Sequence, residues 1–366
     1  MKFLHFNDIR IGSSSESGTP WERDRRIELE DGLARILREA ERCGADLVLI
    51  AGGLYSHIPV TEELDMLKAQ FSRFPDRQFV LIAGETEPVR RSSPVLSYTW
   101  PENVHYVTGG QVERILLENL HTEIFAASVT ENGTASVQEF ADAAAAAAVE
   151  STVPVRIAML RSDGPGCDRE IADKLSRTGL SYIAVGSSEP GSRAISSIAH
   201  CPGFFEPETM QDGGKHGVLE GGISETTGVL EKIEFRPMAA ASYIPLLIRV
   251  SPDTTTEEIR ELVTREIERR GASNIYSLKL TGVREPDADL SIGDLKRRYR
   301  ISEVIDETEP GYDYRALFAE HPQDMIGFYI SRIVSDKKEM SAVERRAMYY
   351  GLNALLHSNE KQEVQK

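Results

Sequence analysis

Charged side chains follow short apolar segments at several points in the first half of the chain. The segments KFLHF, QFVLIA, VRIAML and YIAV have the apolar content of buried strands. The charged residues at or just beyond these segments are Asp8, Arg10, Glu85, Glu87, Arg161 and Glu189. Because the carboxyl ends of parallel strands meet at one edge of a sheet, the sequence predicts that these residues line a common pocket.

Carboxylates that converge in this way need compensating charge. Unpaired, they would repel one another, and their pKa values would rise. Arg10 and Arg161 can neutralise part of this charge, since a guanidinium group matches the geometry of a carboxylate. We therefore expect both arginines to contact the carboxylates of the pocket. The alternative is that both side chains point to solvent at the ends of their loops.

The same carboxylates also suggest a metal site. Hard cations prefer oxygen ligands, and Asp8, Glu85 and Glu189 would supply three of them. The ion would be a single Mn or Mg, and no other cofactor is expected. Arg10 speaks against this interpretation, because it would place a positive charge close to the ion.

Alternating elements position these loops in residues 1–235. Apolar runs predict strands over 2–6, 46–51, 78–83, 104–107, 115–117, 123–127, 155–160 and 182–185. Helical spacing of apolar residues predicts helices over 26–42, 61–74, 134–150 and 168–178. This alternation predicts an α/β layered fold, and strands that are apolar throughout indicate helices on both sheet faces.

The remainder of the chain has a different pattern. A strand–helix–strand unit over 243–283 predicts a small, separate α+β domain. Residues 284–314 are charged and poor in large apolar residues, which favours an extended linker. Helices are expected within 314–357, so residues 284–366 form a linker and C-terminal helices.

Composition limits the functional classes. The net charge of −16 disfavours general binding of nucleic acids, although a local basic patch could still bind DNA, which stays an open partner. Three scattered cysteines indicate reduced thiols. No apolar run reaches the roughly 18 residues of a membrane span, and the N-terminus has the pattern of a strand. We expect a cytoplasmic protein without a membrane partner.

The order of these loops resembles that of the SbcD-type DNA-repair exonuclease subunits, which are calcineurin-like metallophosphoesterases. The resemblance covers residues 1–235 and, more weakly, 243–283 as a capping domain. Asp8 matches the aspartate of the family's Asp-x-His-x-Gly loop, and Arg10 replaces the histidine. Gly53 replaces the metal-bridging aspartate of Gly-Asp-Leu-Phe-Asp. The glycines of the loops match at Gly12, Gly52, Gly84 and Gly186.

The remaining motifs of the family are altered as well. In its Gly-Asn-His-Asp motif, Glu85, Thr86 and Glu87 replace the asparagine, the catalytic histidine and the aspartate. Arg161 replaces a histidine ligand, and Ser187 with Glu189 replaces the two histidines of Gly-His-x-His. Gly53 and Ser187 stand at degenerate ligand positions, and Thr86 at that of the catalytic histidine, so no residue is assigned to catalysis.

The resemblance implies a layered metallophosphoesterase fold whose two-metal centre is lost. Glycine cannot bridge metals, a guanidinium group offers no lone pair, and threonine cannot shuttle protons as histidine does. The implied function is that of a catalytically inactive homologue, a structural or regulatory subunit. Its partner would be an SbcC-like coiled-coil ATPase or a second copy of the chain. The alternative is a DNA exonuclease or phosphoesterase with an altered site that holds at most one metal.

Overall fold

The computed structural model describes residues 1–13, 16–150, 153–286, 288, 290–334 and 341–363. The chain divides into two compact units, Met1–Tyr243 and Ile244–Lys366. Each unit is built from its own sheets and helices.

The first unit contains two mixed sheets. Its strands are β1 (Lys2–Phe6), β2 (Leu47–Ala51), β3 (Gln78–Ile82), β4 (Val104–Val107), β5 (Glu113–Leu117), β6 (Thr122–Ala126), β7 (Val155–Ser162), β8 (Tyr182–Ser187), β9 (Arg193–Ala194), β10 (Ala199–Cys201), β11 (Gly217–Ile223) and β12 (Leu230–Pro237). One six-stranded sheet has the order β12-β11-β1-β2-β3-β4, and the other has the order β5-β6-β7-β8-β10-β9. The strands β1 to β4 run parallel, as do β6, β7, β8 and β10. The sequence had not predicted β9 to β12.

The two sheets pack against each other through apolar side chains. Phe3, Leu49 and Val80 of the first sheet share one buried cluster with Ile157 and Tyr182 of the second. Every one of these side chains is fully buried. The strands of this interface are apolar on both faces, which is the pattern expected for sheets that are covered on both sides.

Helices cover the outer faces of both sheets. They are α1 (Glu22–Glu30), α2 (Gly32–Cys43), α3 (Thr61–Phe71), α4 (Val137–Glu150) and α5 (Pro165–Asp173). Apolar residues of α2 and α3 pack on the first sheet, and those of α4 and α5 pack on the second. The α/β layering predicted from the sequence is therefore observed. The helix predicted over 26–42 is instead two helices that meet at Asp31.

The second unit contains a three-stranded sheet and further helices. Its elements, counting the strand that begins at the unit boundary, are β13 (Tyr243–Val250), α6 (Thr256–Arg270), β14 (Ile275–Arg284), α7 (Leu295–Arg298), β15 (Ile301–Pro310), α8 (Tyr314–Glu320), α9 (Met325–Val334) and α10 (Ala342–Glu363). The sheet order is β13-β14-β15. The buried side chains of the sheet pack on Ile259, Val263 and Ile267 of α6.

The prediction of an extended linker over 284–314 was wrong for much of this range. β15 runs parallel to β14, with Tyr276 opposite Ile301 and Leu280 opposite Asp306. An edge strand with one solvated face needs few apolar residues. The acidic sequence of β15 therefore lacks the apolar pattern from which a strand is predicted. The helices expected within 314–357 are observed in the described residues. No helix among the described residues has the length and apolar content to cross a membrane.

Candidate functional site

The loops that follow parallel strands of both sheets bring their charged residues together. Asp8 follows β1, Gly53 follows β2, and Glu85 and Glu87 follow β3. Arg161 lies near the end of β7 and extends towards these loops. Arg161 pairs with both Asp8 and Glu85, so the convergence predicted for these three residues is observed.

Arg161 lies at the centre of the site. Its Nη1 donates to Asp8 Oδ2 at 2.6 Å and to the carbonyl oxygen of Ala51 at 3.0 Å. Its Nε donates to Glu85 Oε1 at 3.2 Å, and its Nη2 donates to Glu85 Oε2. Burial by itself would lower the pKa of Arg161, but Asp8 and Glu85 outweigh burial and raise it. The guanidinium group therefore remains a permanent cation between two carboxylates.

Arg10 binds the opposite side of Asp8. Its Nε donates to Asp8 Oδ1 at 3.2 Å, and its Nη1 donates to Glu208 Oε2 at 2.7 Å. Its guanidinium carbon lies 4.0 Å from the centre of the Phe204 ring. Burial lowers the pKa of Arg10, whereas Asp8 and Glu208 raise it and prevail. Asp8, Arg10, Glu85, Arg161 and Glu208 are called the ion-pair site below.

Sequence reasoning missed Glu208 and two smaller contributors. Ser13 donates its hydroxyl to Glu208 Oε1 at 2.5 Å. Asn7 donates to Asp8 Oδ2 at 2.6 Å and to the carbonyl oxygen of Ser187 at 3.1 Å. The adjacency of Asn7 to Asp8 was a usable signal. Glu208 follows a segment without periodic apolar residues, so no pattern pointed to it.

The backbone of the first loop is held in a rare conformation. Asp8 has φ 49° and Arg10 has φ 55°, both in the left-handed region. Hydrogen bonds from their amides to the carbonyl oxygens of Gly52 and Gly53, each 2.9 Å long, fix this geometry. Such residues cost about 1–3 kcal/mol each and persist where the surroundings determine them, commonly at functional sites.

Gly53 leaves no space for a side chain. A Cβ atom at this position would lie 2.4 Å from the carboxyl group of Asp8. The φ of Gly53 is 71°, which also favours glycine. The close approach of Gly53 to Asp8 therefore excludes any carboxylate at position 53 without a shift of the first loop.

Glu87 is held by backbone amides, and no arginine among the described residues donates a hydrogen bond to it. Its Oε1 accepts from the amides of Gly53, Leu54 and Gly84 at 2.7, 3.2 and 3.1 Å. Its Oε2 lies 2.5 Å from Thr86 Oγ1, which also lies 2.7 Å from the carbonyl oxygen of Tyr55. The residue is 2% exposed, and burial raises the pKa of its carboxyl group.

The hydroxyl of Thr86 bears on the protonation of Glu87. The hydroxyl of Thr86 has one hydrogen and faces two acceptors, the Tyr55 carbonyl oxygen and Glu87 Oε2. A protonated Oε2 that donates to Thr86 satisfies both contacts, because Thr86 can then donate to Tyr55. The three amides that donate to Oε1 favour the ionised form, whereas burial favours the neutral acid and prevails in raising the pKa of Glu87.

Glu189 does not join the ion-pair site. Its Oε2 lies 3.2 Å from Arg193 Nη1, and Arg193 Nε lies 2.7 Å from Asp168 Oδ2. Ser187 is buried, and its Oγ accepts the amide of Glu189 at 3.2 Å. Ser188 instead reaches the site and donates to Glu85 Oε2 at 3.0 Å. The prediction that Glu189 lies among the pocket carboxylates was therefore wrong, since Arg193 binds it nearby.

The residues do not fit a metal ion. Arg161 lies between Asp8 and Glu85, and Glu189 is paired with Arg193, so the three suggested ligands do not converge. Within the described ranges, no group of three or more His, Cys, Asp and Glu side chains is arranged to hold a metal. The cation in this site is the guanidinium group of Arg161.

Comparisons with known proteins give no family assignment. No model of a known protein family matches the chain, and no curated protein matches it. The interpretation of the ion-pair site therefore depends on the geometry of its own residues.

Proposed function

We propose that this chain is a non-catalytic relative of the SbcD-type metallophosphoesterases that serves as a structural or regulatory subunit. One observation carries the proposal: the buried guanidinium group of Arg161 binds Asp8 and Glu85 at strand ends where a phosphoesterase would hold its metals. A fixed internal cation needs no exogenous ion to balance these carboxylates.

The layering of the first unit supports the assignment to this fold. Two six-stranded sheets pack face to face with helices outside them, and the loops after β1, β2, β3, β7 and β8 carry the five altered motifs. Three of these loops meet at Arg161, which contacts Asp8, the Ala51 carbonyl and Glu85. The meeting of these loops at one side chain supports the proposal.

The chemistry of the site supports the loss of hydrolysis. A two-metal hydrolase needs a bridging carboxylate, open coordination positions and an acid or base near the leaving oxygen. Gly53 supplies no carboxylate, and Asp8 is already bound by Asn7, Arg10 and Arg161. Thr86 stands where a proton-transfer group is needed and is hydrogen-bonded to Tyr55 and Glu87.

Metal titration and a hydrolysis assay test this function. The purified chain is titrated with Mn in a calorimeter and incubated with Mn and blunt DNA ends or a generic phosphodiester. We expect neither saturable heat nor turnover above the buffer rate, whereas an active metallophosphoesterase run in parallel gives both. Turnover that Asp8→Ala abolishes would refute the proposal and favour an exonuclease or phosphoesterase with an altered single-metal site.

The subunit role is tested separately. A coiled-coil ATPase of the SbcC kind, or a second copy of the chain, is the partner that we propose. Co-expression followed by size-exclusion chromatography should give a stoichiometric complex with one of them. A chain that elutes alone in both experiments would contradict the subunit role while leaving the loss of catalysis intact.

A further inference from the structure

A serine, a histidine and a glutamate are in contact near the surface of the first unit. Ser56 and His57 lie in the loop after β2, and Glu63 lies in the first turn of α3. Ser56 Oγ lies 3.4 Å from His57 Nδ1, and His57 Nε2 lies 3.0 Å from each carboxylate oxygen of Glu63. A hydroxyl, an imidazole and a carboxylate in this order form the set that activates a serine nucleophile. The ion-pair site contains none of these residues.

Glu63 determines which nitrogen of His57 can accept a proton. An ionised carboxylate only accepts hydrogen bonds, so the hydrogen between the two groups belongs to His57 Nε2. In the neutral imidazole the other nitrogen, Nδ1, then has a free lone pair, and this nitrogen faces Ser56 Oγ. The carboxylate also balances the positive charge that His57 gains when it takes the serine proton.

The hydroxyl of Ser56 has one hydrogen and two acceptors. Its Oγ lies 3.2 Å from the carbonyl oxygen of Ile11 and 3.4 Å from His57 Nδ1. The Ile11 carbonyl oxygen also accepts the amide of Ser56 at 3.0 Å, so it keeps a donor when the hydroxyl turns to His57. Hydrogen bonds between catalytic groups are often longer without substrate than in the reacting complex. The observed separation therefore suits a pair that tightens when a substrate binds.

Glu63 is anchored at the N-terminus of α3 independently of His57. Its Oε2 accepts the amide of Val60 at 2.9 Å, and its backbone carbonyl oxygen accepts the Tyr55 hydroxyl at 3.1 Å. The ring of Tyr55 also meets that of His57 edge to face, with centres 6.1 Å apart. The cap of the helix uses Oε2, so the contact between Oε1 and His57 is additional to the cap.

Gly12 lets the first loop approach the serine and the histidine closely. A Cβ atom at this position would lie 2.7 Å from His57 Cε1, 3.0 Å from His57 Nδ1 and 3.3 Å from Ser56 Oγ. A larger residue would therefore occupy the space beside both reacting atoms.

The two reacting side chains are open to a small substrate. The His57 side chain is 45% exposed, and Ser56 is half-buried. The backbone amide that follows a nucleophilic serine commonly donates to the oxyanion of the tetrahedral intermediate. Here this amide belongs to His57, and it donates no hydrogen bond to another residue in the described part of the chain.

We propose that Ser56, His57 and Glu63 hydrolyse esters of small carboxylic acids through an acyl-serine. Ser56 Oγ bonds to the carbonyl carbon while His57 Nδ1 takes the hydroxyl proton. The ester C–O bond breaks, and His57 gives this proton to the departing alkoxide. A water oxygen then attacks the acyl group and passes a proton to His57, which returns it to Ser56 Oγ as the carboxylic acid leaves. The net reaction converts ester and water to acid and alcohol.

Ester turnover in the presence of EDTA tests the proposal. The full chain is incubated with p-nitrophenyl acetate, and release of nitrophenolate above the buffer rate is followed. We expect a burst and then steady turnover, because the acyl-serine accumulates before water hydrolyses it. This reaction goes beyond the proposed function, which concerns metal-dependent hydrolysis of phosphoesters. With EDTA and a carboxylic ester, a negative result here leaves the conclusion about the metal centre unchanged.

Substitutions assign the rate to the three residues. Ser56→Ala and His57→Gln should each lower the rate by about 100-fold, the lower end of what a positioned general base contributes. Glu63→Gln keeps the shape of the side chain but removes its charge, so its loss should be smaller than that of His57→Gln. His321→Gln is the control, because His321 Nδ1 forms a similar pair with Asp324 at 2.6 Å, and it should keep the parental rate.

A fluorophosphonate locates the nucleophile. It phosphonylates an activated serine, and fluoride leaves as the Ser56 Oγ–P bond forms. Peptide mass spectrometry should find the adduct on Ser56 in the parent and no adduct there in His57→Gln. Thermal unfolding shows whether each variant is folded, and the exposure of His57 should leave the fold of its variant intact.

Three results would overturn the proposal. They are ester turnover no faster than in buffer, a parental rate in Ser56→Ala, and a fluorophosphonate adduct on a residue other than Ser56. A rate that Ser56→Ala keeps and His57→Gln loses would show that the imidazole attacks the ester itself.

Discussion

Asp8 and Arg161, 153 residues apart in sequence, form a buried ion pair in the site, with Nη1 2.6 Å from Oδ2. Both side chains are almost fully buried. Burial removes the hydration of both charges, so each depends on the other and on the hydrogen bonds around them. The pair therefore joins the two sheets of the first unit by a contact that neither partner can lose alone.

Removal of the Arg161 guanidinium group should destabilise the first unit strongly. Arg161→Met leaves Asp8 buried beside a single arginine and deprives Glu85 of its arginine partner. We expect a loss of about 3–5 kcal/mol in the free energy of unfolding, measured with urea. Arg38→Met is the control, because Arg38 is 66% exposed and pairs with Asp31 at the surface, so its loss should be below about 1 kcal/mol. Equal effects of both substitutions would show that the buried pair is not specially stabilising.

Gly53 should tolerate substitution worse than a glycine with the same backbone angle. Gly44 has φ 68° and no atom within 4 Å of an added Cβ, so Gly44→Ala reports the backbone cost alone, about 1–2 kcal/mol. Gly53, at φ 71°, would bring its Cβ to 2.4 Å from Asp8. Gly53→Ala should therefore lose more stability than Gly44→Ala in the same urea titration. A difference near zero would mean that the first loop moves freely.

An aspartate at position 53 should not create a metal site. The substitution Gly53→Asp displaces Asp8 and leaves Arg161 in place. We expect no gain of saturable Mn binding in calorimetry, together with a loss of stability at least as large as that of Gly53→Ala. Saturable Mn binding by this variant would show that Arg161 can move away from the carboxylates.

Some parts of the site were predictable because their determinants are local. Apolar runs mark the ends of β1, β3 and β7, so the charged residues beyond them could be located from the sequence. The meeting of parallel strand ends at one sheet edge accounts for Asp8 and Glu85, whereas Arg161 lies on a strand of the second sheet and reaches them because the two sheets pack together. The need to neutralise converging carboxylates predicted that Arg161 would face them. Both inferences use periodicity and charge, which a sequence displays directly.

Other parts depended on competition between partners. Glu189 pairs with Arg193, four residues later in the chain. The pattern of apolar residues that predicts a strand does not show which of several nearby cations a carboxylate will bind. Glu208 reaches Arg10 across 198 residues from an irregular segment. The strand β15 was missed because its neighbour β14 supplies the pairing, whereas its own side chains are largely acidic.

Glu87 and Glu85 should affect the pH dependence of stability in opposite directions. Burial raises the folded-state pKa of Glu87, so its stabilising contribution is full below the unfolded pKa of about 4.3 and is lost as the pH rises through the folded pKa. For Glu85, burial raises the pKa, but Arg161 lowers it by more, so the folded-state pKa lies below the unfolded value. Its contribution is present above the unfolded pKa and is lost as the pH falls through the folded value.

Isosteric amides separate the two effects. Glu87→Gln mimics the neutral acid, so urea titrations across a pH series should show that it gains stability relative to the parent as the pH rises. Glu85→Gln should lose stability relative to the parent over the same range. A relative loss of stability in Glu87→Gln as the pH rises would contradict a raised pKa of Glu87.

The buried histidine of β1 should make the first unit sensitive to acid. His5 is fully buried, its Nδ1 lies 2.9 Å from the Tyr182 hydroxyl, and burial, assisted by His200, lowers its pKa to about 3. The pKa of this histidine in the unfolded chain is near 6.5. Between about pH 3 and pH 6.5 the unfolded chain therefore binds a proton at His5 that the folded chain does not bind. Stability should fall by about 1.4 kcal/mol per pH unit as the pH drops through this window.

The slope of this pH dependence isolates His5 from other effects of substitution. His5→Gln keeps an acceptor for the Tyr182 hydroxyl but cannot be protonated, so its urea-unfolding free energy should fall less steeply below pH 6.5 than that of the parent. Gly44→Ala, which changes no titratable group, serves as the control and should keep the parental slope. An unchanged slope in His5→Gln would show that another group causes the acid sensitivity. The next group to test is then His200, whose ring stacks on that of Tyr182.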